Sequence, residues 1–107
     1  GFRGRPLDDA GVAARYYNNL GAEHLAQGRL AHAYAHFKAA ITTDASYAAA
    51  YGNLAVLYRK RGFDADAERL LRRAVALSDE PDVALQGLHQ LLVDRGREAE
   101  AKSVAEQ

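Results

Sequence analysis

The histidines are the residues of this sequence whose type and spacing come nearest to a reactive site. His32 and His36 stand four residues apart, which places two imidazoles on one face of a helix, a spacing that can hold zinc. A metalloprotease helix would need a glutamate directly after the first histidine, but Ala33 stands there, and no third ligand is evident nearby. The sequence therefore predicts no metal site and no cofactor.

Catalytic motifs are missing from the rest of the chain. It contains no cysteine, so disulfides, thiolate nucleophiles and cysteine-based zinc sites are excluded. No phosphate-binding glycine loop, Ser-His-Asp arrangement or convincing carboxylate pair is present. We expect a protein that is not an enzyme.

Charge and hydropathy argue against two further classes of function, nucleic-acid binding and membrane insertion. Lys and Arg number 14, Asp and Glu also number 14, and the formal net charge is zero, so no one-sided basic field predicts a nucleic-acid partner. No apolar run approaches the roughly 20 residues that cross a bilayer, so we expect no membrane insertion. The chain contains no methionine, and we expect it to be a fragment of a longer protein.

The elements that would position a binding site follow a repeat of 34 residues. Tyr17, Tyr51 and Leu85 are successive members of one column with this spacing. Other columns with the same spacing are Leu20, Leu54 and Leu88; Gly28, Gly62 and Gly96; Ala33, Ala67 and Ala101; and Phe37, Leu71 and Ala105. Self-similarity at a fixed period of this length is typical of solenoids, in which each unit packs on its neighbours.

Each unit is predicted to form two antiparallel helices, because apolar residues recur at steps of three and four and none alternate with a period of two. A glycine separates the two helices of every unit, and Asp64 stands at a favoured N-cap position. The predicted helices cover about residues 14–27, 29–41, 48–61, 64–77, 82–95 and 98 to the end. The fold class is all-α.

The columns resemble those of the tetratricopeptide repeat family, which has an aromatic-x-x-Leu-Gly first helix and an Ala-x-x-x-aromatic-x-x-Ala second helix. The first unit carries this pattern as Tyr17, Leu20, Gly21, Ala33, Phe37 and Ala40. The resemblance implies an α-α superhelix over residues 14–107, with units at 14–47, 48–81 and an incomplete one at 82–107. Residues 1–13 would be an N-terminal extension or linker.

The resemblance also implies a function, because members of this family usually bind peptides or proteins in a concave groove lined by the first helices. Asn19 and Asn53 share one register, so we expect their carboxamides to point into that groove one above the other. Asparagine is also the family's common residue there, so a purely structural role stays open. The further groove residues predicted are Asn18 and Val56, with Arg15, Arg59 and Lys60 setting the charge.

The third unit departs most from the pattern and supports an alternative function. Its second helix is short, and units of this kind need a polar cap at the end of a stack. We expect an exposed apolar strip at Leu88, Leu91, Leu92 and Val104. The chain would then be a self-association or scaffold module, forming homo-oligomers through this unit or packing against a larger protein such as a bacterial enzyme.

We expect a cytoplasmic location and a protein or peptide as the partner.

Overall fold

The computed structural model of the chain describes residues 9–107, and within that range it contains six α-helices and no strand. The six helices are α1 (Asp9–Ala26), α2 (Leu30–Thr43), α3 (Ala48–Lys60), α4 (Asp64–Leu77), α5 (Asp82–Asp94) and α6 (Glu98–Ala105). The two helices of each unit are separated by a short turn.

Consecutive helices pack as pairs, and the pairs stack in chain order. α1 packs on α2, α3 on α4 and α5 on α6, while α2 with α3 and α4 with α5 join neighbouring units. The Cα atoms extend over 48 × 34 × 17 Å, and the short dimension corresponds to about two helix layers. The prediction of an all-α superhelix of helix pairs is confirmed.

The turn inside each unit is built in the same way three times. Gly28, Gly62 and Gly96 have φ angles of 76°, 82° and 77°, a left-handed conformation that glycine adopts without strain. The residue after each glycine donates its N–H to the carbonyl oxygen five residues earlier, as Arg29 does to His24 over 2.8 Å. This is the Schellman arrangement that ends a helix. The predicted helix breaks are therefore confirmed.

Small residues let the two helices of the first unit approach closely. A Cβ atom on Gly21 would lie 2.5 Å from Cε1 of Phe37, a distance that atoms do not tolerate. Phe37 is fully buried and packs beside Ala33 with Leu54 and Leu57 of the next unit. The absence of a side chain at Gly21 is therefore what admits the largest core residue of this cluster.

One predicted helix start and one predicted N-cap differ from the structure. α1 begins at Asp9 rather than Ala14, since the alanine-rich segment favours helix and Ala14 is fully buried against Ala40 and Ala50. Residues 1–8 of the predicted N-terminal extension lie outside the described residues. Asp64 is the first residue of α4 and not its N-cap, which is Phe63. Its carboxylate still favours the positive end of the helix dipole.

The predicted exposed strip on the third unit is wrong. Leu88, Leu91, Leu92 and Val104 are at most 4% exposed. They form one core cluster with Ala55, Ala67, Leu71 and Ala101. The apolar stripe of α5 faces α4 and α6 at once, so the short second helix is long enough to cover it.

Candidate functional site

The candidate site is the surface formed by the first helices of the three units. Two side-chain hydrogen bonds connect these helices directly. Asn53 in α3 donates from Nδ2 to Oδ1 of Asn18 in α1 over 3.0 Å, and Arg59 in α3 donates from Nη2 to Oδ2 of Asp94 in α5 over 2.7 Å. Both bonds join residues 35 positions apart. The helices α1, α3 and α5 therefore lie side by side.

The asparagines are arranged differently from the predicted ladder. Asn18 is only 6% exposed and accepts the bond from Asn53, whereas Asn19 is exposed. One residue along a helix turns the side chain by about 100°, so neighbouring residues point in different directions. The structure thus places Asn53 against Asn18 and leaves Asn19 free of hydrogen bonds to the side chains of residues 9–107. A role of these residues in binding stays a prediction.

An open pocket of about 450 Å³ lies between α3 and α5. Three of the predicted site residues, Val56, Arg59 and Lys60, belong to its wall. The complete lining is Ala55, Val56, Arg59, Lys60, Leu71, Gly87 and Gln90. Val56 is 46% exposed, so an apolar side chain of a ligand could contact it directly.

Glycine keeps the floor of this pocket open. A Cβ atom on Gly87 would approach Cδ2 of Leu71 to 3.1 Å, closer than most real contacts. Leu71 lies in α4, which is the second helix of the second unit. The sequence analysis identified this residue only as a member of the repeat column of Phe37, where a packing role is expected. The signal for it was the glycine at position 87, whose missing side chain lets α5 approach Leu71, which is buried and only 5% exposed.

The positive charge of the pocket is partly neutralised. Asp94 accepts hydrogen bonds from Arg59 and, over 2.8 Å, from Nε2 of Gln90, and these bonds lower the pKa of its carboxyl. Asp64 adds a second carboxylate 4.0 Å from Arg59. Lys60 is exposed and makes no ion pair within residues 9–107. It is therefore the pocket cation that remains free for a ligand.

Arg15 lies apart from the pocket. Its side chain is exposed on α1, whereas the pocket is lined by α3, α4 and α5. A ligand would need to extend across the first two units to reach both Arg15 and Lys60. The structure thus brings Val56, Arg59 and Lys60 together, places Asn18 of α1 in contact with Asn53 of α3, and leaves Asn19 and Arg15 separate.

Among residues 9–107, no group of three or more histidines and carboxylates is placed to hold a metal ion. His36 instead has its Nδ1 2.7 Å from the carbonyl oxygen of His32. In the same part of the chain, no helix combines the length and apolar character that a membrane span requires.

Comparison with known proteins identifies the repeat. The family model described as tetratricopeptide repeat matches residues 24–84, which is more than half of the 107-residue chain. No curated protein gives a significant match to the chain.

Proposed function

The chain belongs to the tetratricopeptide repeat family, and we propose that it is a non-catalytic module that binds a peptide or protein segment along α1, α3 and α5. Repeats of this family are generally protein-interaction modules. The observation that supports the proposal is the pocket between α3 and α5, where an exposed valine and an unpaired lysine stand over an apolar floor.

The chemistry of the pocket favours a particular kind of segment. Val56 offers the exposed apolar contact, above the nearly buried side chain of Leu71, which suits one aliphatic or aromatic anchor of the ligand. Lys60 favours an acidic group beside that anchor, because its charge has no partner among the described residues. Arg59 contributes less to charge recognition, since binding an acidic ligand would compete with Asp94.

Selection from a phage-displayed library of random peptides tests this proposal, since no natural partner is required. Selected peptides would be synthesised with a fluorophore, and their affinity measured by anisotropy. We expect Val56→Asp to weaken binding by about tenfold or more, which corresponds to about 1.4 kcal/mol. Ala76→Asp, at an exposed position of the second helix α4, is the matched control and should leave the affinity unchanged.

A charge reversal addresses the acidic preference separately. Lys60→Glu should weaken binding of peptides that carry an acidic residue, and added salt should reduce the difference. Lys38→Glu, which reverses an exposed lysine on α2, is the control. Peptides that bind all four variants equally well would place the binding surface elsewhere and contradict the proposed groove.

A further inference from the structure

Three of the four histidines of this chain lie together at one end of the first helix pair. His24 is in the last turn of α1, and His32 and His36 are one turn apart in α2. The ring of His24 stacks on both others, with centroid distances of 5.0 Å and interplanar angles of 29° and 30°. We call these three residues the histidine cluster. The fourth histidine, His89, lies in α5 outside it.

The hydrogen bonding of His24, unlike that of His36, suits a neutral ring. The carbonyl oxygen of His32 can only accept, so His36 must donate to it through a protonated Nδ1. Nδ1 of His24 is buried and has no hydrogen-bond partner. In a neutral ring this atom can be an unprotonated nitrogen, whereas the charged ring would carry an N–H there with no acceptor. Protonation of His24 therefore meets an uncompensated cost.

The charged surroundings oppose protonation as well. Burial lowers the pKa of His24 most, followed by the nearby His36, His32 and Arg29, while Glu23 acts in the opposite direction. The groups that face the ring of His24 come from α1, from the turn after α1 and from α2. No charged group of α3 shifts the pKa of His24. A single carboxylate thus stands against two imidazoles and one guanidinium group.

We propose that the histidine cluster makes the α1–α2 pair acid-sensitive, so that this pair loosens when the pH falls below about 6.5. The unfolded chain takes up a proton on His24 near its ordinary pKa, and the folded chain does so only at a lower pH. Stability is therefore unaffected well above pH 6.5. It falls with the pH until the folded-state pKa is passed, and then levels off.

The effect should be local, because units of a solenoid are held by their neighbours only. α1 packs on α2 and touches α3, whereas α3 to α6 form their own contacts. When α1 detaches, Asn18 no longer accepts the bond from Asn53. Loss of ligand binding in acid would follow only under the proposed groove function, but the change in stability does not depend on it.

Urea unfolding followed by circular dichroism, at about pH 7.5 and 5.5 with a chelator present, measures the effect. A histidine whose protonation is fully blocked in the folded state changes the unfolding equilibrium constant about tenfold over this interval. We expect the unfolding equilibrium constant of the wild type to rise toward this limit, and that of His24→Phe, which retains an aromatic ring without a titrating group, to rise clearly less. His89→Phe is the matched control and should behave like the wild type.

A second variant covers the case in which His24→Phe does not fold. The double change His32→Gln and His36→Gln keeps His24 but removes its two neighbouring imidazoles, and it should also show a reduced rise. An equal acid response in the wild type and in every cluster variant that folds would overturn the proposal.

Amide exchange resolved by NMR locates the change. After correction for the intrinsic pH dependence of exchange, protection should fall first in α1, while α5 keeps its protection. An even loss of protection across all six helices would overturn the local opening.

Discussion

Asn53 reaches back one unit and donates its Nδ2 hydrogen to Oδ1 of Asn18, which is buried between the two first helices. The bond joins residues 35 positions apart, one more than the repeat, and the bond from Arg59 to Asp94 has the same spacing. In both contacts between first helices, a residue of one unit therefore meets the residue next to the equivalent position in the neighbouring unit. The repeated asparagine acts here as a connection between units.

Removal of the buried amide should destabilise the fold. Asn18→Ala leaves the half-buried Nδ2 group of Asn53 without its partner, and we expect the free energy of unfolding to fall by about 1–2 kcal/mol. Asn19→Ala is the control, because this side chain is exposed, and it should change stability by no more than about 0.5 kcal/mol. Urea unfolding measures both. Equal losses would show that the hydrogen bond does not contribute.

Two glycines of the first helices should respond in opposite directions to alanine. Gly21→Ala places Cβ against the ring of the fully buried Phe37 and should cost about 1–3 kcal/mol. Gly52 has no atom within 4 Å of the corresponding position, so Gly52→Ala should stabilise the helix by about 0.5–1 kcal/mol. Thermal unfolding of both variants gives the comparison. A stabilised Gly21→Ala protein would contradict the close helix crossing.

The helix pairs and their turns could be predicted from the sequence because they depend on local signals. Gly28, Gly62 and Gly96 recur at the same step and each ends a first helix with a left-handed residue. The burial of the apolar residues in the third unit could not be predicted from such local signals. Whether Leu91 is covered depends on how α5 is rotated between α4 and α6, and periodicity shows which residues share a face but not what lies opposite.

The site was predicted less completely for a related reason. Matching Asn19 with Asn53 gives equivalent positions in two units, but the contact between units involves Asn18. The sequence likewise shows Arg59 as a surface cation, while its partner Asp94 is far away along the chain. Both contacts depend on how far the first helix of one unit is shifted relative to the first helix of the next. The sequence of a single unit does not determine that shift.

An ion-pair network between α4 and α6 should make stability depend on pH in the acid range. Glu68 accepts bonds from Arg97, with Nη2 to Oε2 at 3.1 Å, and from Nε of Arg72 at 3.0 Å. These bonds, that of Arg97 first, lower the pKa of the Glu68 carboxyl below its ordinary value of 4.5. Its stabilising contribution is therefore complete above about pH 4.5 and is lost as the pH falls through the lower folded-state pKa.

Glu68→Gln should remove part of this dependence. We expect the variant to be less stable than the wild type at neutral pH, and the difference to shrink below about pH 4. Glu98→Gln is the control, because Glu98 is exposed in α6 and has no ion pair within residues 9–107. Urea unfolding at a series of pH values gives the comparison. A difference that stays constant from neutral to acid pH would contradict the role of the charged pair.

The burial of the third unit favours a monomer over the predicted self-association. Self-association was predicted from an exposed strip, but Leu88, Leu91 and Leu92 are each at most 2% exposed within a single chain. The exposed large hydrophobic residues of α5 are Val83 at 81% and Val93 at 37%, and they lie at opposite ends of the helix, so this unit offers too little continuous apolar surface for a stable dimer. We therefore expect light scattering to give the mass of one chain, 11.6 kDa, across the micromolar range. A mass that doubles with concentration would restore the self-association alternative, and Val83→Asp would then test whether α5 forms the contact.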